Sequence, residues 1–80
     1  MQKQNSFCFA AIGSMTQAMR AQKVLLDAAV RTEIVGVDAL RSRRGCAYAL
    51  SYPCSQERNV RTILGGAGIR VRDFYGEEMQ

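Results

Sequence analysis

Apolar and polar positions alternate along this chain in runs that change period four times. Residues 7–12 form an apolar run with two phenylalanines, too brief for a helix and closed by Gly13, which predicts a buried strand. Ser14 followed by Gln17 has capping-box spacing, and Ala18, Ala21, Leu25 and Ala29 recur at helical intervals, so a first helix is expected to run to about Ala29. Residues 32–37 bring Ile34, Val35 and Val37 with no helix signal and read as a second strand. A polar, arginine-bearing stretch covers residues 38–45, and residues 46–52 then alternate as a third strand. Pro53 ends it and Ser55 is placed to cap a second helix. That helix carries Val60, Ile63, Leu64 and Ala67 on one stripe, and residues 69–75 complete a fourth strand.

The order is βαββαβ, and its halves echo each other: Cys8 with Cys46, Ser14 with Ser55, Val30-Arg31 with Ile69-Arg70. Right-handed crossovers on two βαβ units fold such a chain into a ferredoxin-like α+β sandwich, a four-stranded antiparallel sheet with both helices on one face. A single domain over residues 7–75 is expected, with flexible termini at 1–6 and 76–80. Eighty residues suit one small domain, and an apolar fraction of 48% with 22% charged residues is that of a packed chain. Gly65, Gly66 and Gly68 follow a helix instead of preceding one, so they read as its C-cap and turn and not as a phosphate loop.

Charge and missing residue types narrow the chemistry. Histidine is absent, which removes the commonest general base and every Ser-His or Cys-His nucleophile pair. The acidic residues Asp27, Glu33, Asp38 and Glu57 stand singly, so no acid/base pair is evident. A net charge of +4, with nine arginines among eleven basic residues, admits an anionic partner such as nucleic acid and is equally an ordinary route to solubility. No apolar run reaches the ~20 residues of a membrane helix, and no signal peptide is legible, so no membrane partner is expected. An odd count of three cysteines then reads as a reduced cytoplasmic protein with at least one free thiol. Their spacings contain no CxxC pair, and neither a metal nor a cofactor is expected.

In the expected topology the 38–45 loop lies at the same sheet end as the Gly13-Ser14 turn, and Cys46 begins the third strand there. Helix N-terminal amides at Ser14, with Arg43 and Arg44 nearby, would favour a thiolate over the thiol of a cysteine whose free pKa is about 8.5. Cys46 therefore reads either as a reactive thiol or as a small core hydrophobe. Cys8, between Phe7 and Phe9, reads as buried packing. Cys54 comes just before the cap of the second helix, so the same dipole argument makes it a further thiolate candidate, at the opposite end of the sheet from Cys46.

Residues 21–30, Ala-Gln-Lys-Val-Leu-Leu-Asp-Ala-Ala-Val, and the run Ser42-Arg43-Arg44-Gly45-Cys46-Ala47-Tyr48-Ala49-Leu50 resemble the selenium/sulfur (Se/S) carrier protein-like family. Its helix reads roughly A-E-K-x-L-K-x-A-G-I, and its third strand follows a serine-rich loop into C-G-L-A-L. The resemblance covers residues 7–75. It implies a stand-alone carrier-like domain associated with selenium or sulfur metabolism, its motif cysteine at Cys46; the first functional reading is then a non-enzymatic carrier that takes a chalcogen on Cys46 from a cysteine desulfurase-like donor and relays it between partner proteins. Ala47 stands where the family has glycine, and Arg43 and Arg44 stand where small residues are usual; Ala47 places a Cβ in the way of close backbone approach.

Two other classes remain. Arg44-Gly45-Cys46-Ala47-Tyr48 follows the start of an RNA-recognition strand, although Cys46 replaces one stacking aromatic and Ser51 stands where the last belongs; Phe7 and Phe9 of the first strand read either as stacking residues or as apolar packing. A homodimerising interaction domain, using an edge strand or the open sheet face, is the third.

Overall fold

The computed structural model describes residues 6–36 and 47–76. Strand β1 spans Phe7–Ile12, helix α1 Met15–Asp27, strand β2 Glu33–Gly36, strand β3 Tyr48–Pro53, helix α2 Glu57–Gly66 and strand β4 Asp73–Gly76. One four-stranded sheet has the order β2-β3-β1-β4, with every neighbouring pair antiparallel. This is the ferredoxin-like α+β arrangement. Among the described residues no helix is long and apolar enough to cross a membrane.

Strand alternation decides what the helices cover. Ala10 and Ile12 of β1 and Leu50 and Tyr52 of β3 share one face, and all four are sealed in a cluster with Ala18, Ala21 and Leu25 of α1 and Val60 and Leu64 of α2. Both helices thus lie on that face. The other face carries Phe7, Phe9, Val35, Ser51 and Pro53, and Phe9 stacks on Tyr75 of β4 with ring centroids 5.2 Å apart. Burial of the Tyr52 phenol, with the Glu57 carboxylate beside it, pushes its ionisation well above the usual tyrosine range. Its hydroxyl donates to Glu57 Oε1 at 3.1 Å, and Arg61 Nε donates to Glu57 Oε2 at 2.6 Å. The Arg61 guanidinium in turn sits 4.2 Å from the centre of the Phe74 ring, clamping α2 onto the sheet.

Each helix ends in the same way. The N–H of Val30 donates to Leu25 C=O and that of Ala29 to Leu26 C=O; after α2, Ile69 donates to Leu64 and Gly68 to Gly65. Both are Schellman turns, with an apolar residue, Val30 or Ile69, buried just beyond. The turn needs a left-handed residue, and Gly68 supplies it at φ 74° where Ala29 must adopt φ 65°. Replacing Ala29 by glycine relieves its Cβ clash and should stabilise the domain by about 1 kcal/mol, read as an upward shift of the urea midpoint at constant slope.

Several boundaries differ from those expected. Ser55 does not cap α2: a short 3-10 turn over Cys54–Gln56 comes first, and the helix N-cap is Gln56, which makes no side-chain cap bond. Strand β4 begins at Asp73 and not at residue 69, because Ile69 is committed to the core as the closing residue of the helix turn. Strand β2 begins at Glu33, and β3 begins at Tyr48.

Candidate functional site

Two ends of the sheet bring chemistry-bearing residues together. At the first, β1 finishes at Ile12, which pairs with Tyr48 at the start of β3, and Gly36 at the end of β2 pairs with the same tyrosine. Strands β1 and β2 therefore run in the same direction, as the topology required. Gly13 and Ser14 then turn the chain into α1. Ser14 is the N-cap, in extended backbone, and its hydroxyl accepts the Gln17 N–H at 3.2 Å. No acidic residue occupies the first turn of α1 to offset the positive end of the helix dipole.

A cation overlooked in the sequence also stands at this end. The N–H of Arg72 donates to Ala11 C=O at 2.9 Å, and its guanidinium lies over Gly13, where an added methyl would meet Nε at 3.6 Å. Arg72 was hidden because it is far from Ser14 in sequence; only the pairing of β4 beside the end of β1, Asp73 opposite Ala11, brings it there. The chain of β3 reaches this electropositive end through Ala47, which follows Cys46 directly. The expected site residues Cys46, Arg43 and Arg44 lie outside the described residues; Ser14 is described and caps the helix.

At the opposite end, Cys8 and Cys54 form a disulfide, with Cα atoms 5.0 Å apart and a sequence separation of 46. This corrects the reading of Cys8 as simple packing, of Cys54 as a thiolate candidate and of the chain as reduced, because both sulfurs are consumed in the bond. The pairing escaped notice because spacing alone does not choose among three cysteines; the β1–β3 register does, setting Cys8 opposite Tyr52 and Phe7 opposite Pro53, so that Cys54 emerges beside β1. The N–H of Cys54 donates to Ser6 C=O at 3.1 Å, continuing the same alignment. With this bond in place the cysteine count no longer argues for a reducing compartment.

The register divides the RNA-recognition pattern between the two faces: Tyr48 shares the helix-covered face with Leu50 and Tyr52, whereas Phe7 and Phe9 of β1 lie on the open face, Phe9 stacked on Tyr75.

Residues 7–76 match the family model described as "Putative Se/S carrier protein-like". No curated protein and no solved structure matches the chain.

Proposed function

Because this chain belongs to the Se/S carrier protein-like family, we propose that it carries sulfur or selenium on Cys46 and relays it between partner proteins. One observation carries the choice of cysteine. Of the three in the sequence, Cys8 and Cys54 are joined to each other, which leaves Cys46 as the only cysteine outside that bond. A carrier is served by such an arrangement. A persulfide is readily discharged by a neighbouring thiol, and here the two other sulfurs are oxidised and tied to the far end of β1.

The transfer conserves oxidation state. The Cys46 thiolate attacks the terminal sulfur of a donor persulfide, the donor's S–S bond breaks, its cysteine leaves as thiolate, and Cys46-S-SH remains. The exposed Ser14 turn, the first-turn amides of α1 and the Arg72 guanidinium give this end of the sheet a positive potential suited to the acidic or anionic surface of a donor. Arg43 and Arg44 add to it by their sequence proximity to Cys46. The protein performs no catalysis of its own in this scheme; a cysteine desulfurase-like enzyme generates the donor persulfide.

Intact mass after incubation with a cysteine desulfurase and its substrate is the direct test. The wild-type chain should gain one sulfur, lost on treatment with reductant, and Cys46→Ser should gain none. An adduct that survives in Cys46→Ser would overturn the assignment.

A further inference from the structure

The Cys8–Cys54 bond joins two segments that the rest of the molecule already holds together. Strand β1 is zipped to β3 from Phe7 opposite Pro53 to Ile12 opposite Tyr48, the Cys54 N–H is bonded to Ser6 C=O, and Tyr52 is tied forward to Glu57 across the cysteine. The sealed core of Ile12, Leu25, Leu50, Tyr52, Val60 and Leu64 contains neither sulfur. Breaking the S–S bond therefore leaves two thiols facing each other at bonding range, a preorganised dithiol with a high effective concentration for closing again. Neither cysteine is sealed from solvent, since both are half-buried. They differ in surroundings: Cys8 packs against the core cluster, whereas Cys54 lies outside it, between half-buried Pro53 and exposed Ser55.

We propose that Cys8–Cys54 is a reversible two-electron redox site, separate from the carrier thiol, that exchanges with a dithiol reductant through the Cys54 sulfur. A thiolate of the reductant attacks Cys54 Sγ, the S–S bond breaks, and Cys8 leaves as thiolate and takes up a proton. The second thiol of the reductant then attacks its own sulfur in the mixed disulfide, forming the oxidised cyclic reductant and releasing Cys54 as a thiol. The chain gains two electrons and two protons, and the reductant loses them. The site does not depend on the carrier reading, because Cys46 takes no part in either step.

The test uses the full chain carrying Cys46→Ser, so that every thiol counted comes from the pair. Dithiothreitol in native buffer, followed by alkylation and intact mass, should give a chain with two added groups whose far-UV circular dichroism is unchanged. Removal of the reductant and addition of glutathione disulfide should restore the unalkylatable form. With limiting alkylating agent, peptide mapping should find Cys54 labelled several-fold faster than Cys8, as expected of the less sealed sulfur. A bond that opens only in denaturant, a native signal lost on reduction, or faster labelling of Cys8 would each overturn the proposal. All three readouts use the pair intact, so none depends on a Cys8 or Cys54 variant folding.

Discussion

Reduced protein is expected to melt roughly 15 to 30 °C below the oxidised form, while staying folded at room temperature. The magnitude follows from the length of chain the bond closes. Joining residues 46 apart removes loop-closure entropy from the unfolded ensemble worth about 4 kcal/mol in the chain-entropy treatment, and each kcal/mol moves the midpoint of a domain this size by about 4 to 8 °C. The reduced state remains folded because the sealed core contains neither sulfur and the β1–β3 ladder is held by backbone hydrogen bonds that survive reduction. Differential scanning calorimetry with and without reductant measures the shift. A displacement under about 5 °C would mean that the unfolded chain is already compact across this loop, or that the bond strains the native state.

The second large effect concerns a pair of leucines that the helix ends place in equivalent roles. Leu25 and Leu64 are both sealed in the core, and each offers its carbonyl to the residue that closes the Schellman turn after its helix. Truncating either to alanine should cost about 3 kcal/mol from lost burial and the residual cavity, with the two costs within about 1 kcal/mol of each other. Leu26 is the internal control. It neighbours Leu25 but is 64% exposed, so Leu26→Ala should change stability by less than about 0.5 kcal/mol. Urea titrations of the three variants decide the matter. A Leu64→Ala cost far below that of Leu25→Ala would show that α2 is less firmly packed than α1.

The sequence made the helices legible through periodicity and caps: Ser14 is the N-cap, and the glycines after Leu64 do close α2. It also conveyed the strand order, since two crossovers of one hand leave little choice. What it hid depends on contacts between distant residues. Ser55 has the chemistry of a cap, but the disulfide and the Ser6 bond hold the adjacent Cys54 in a 3-10 turn that starts the helix later. Ile69 has strand chemistry, but burial beneath the α2 turn claims it first. Arg72 and the Cys8–Cys54 pairing become visible only once register is known, because both are juxtapositions across β1.

The covalent ring that runs from Cys8 to Cys54 encloses Cys46. Proteolytic nicking at any peptide bond inside that ring, including those flanking Cys46, leaves both fragments in one molecule under oxidising conditions. Cleavage beside the carrier position would then pass unseen on a non-reducing gel, its trace being the mass of one added water, until reductant lets the pieces part.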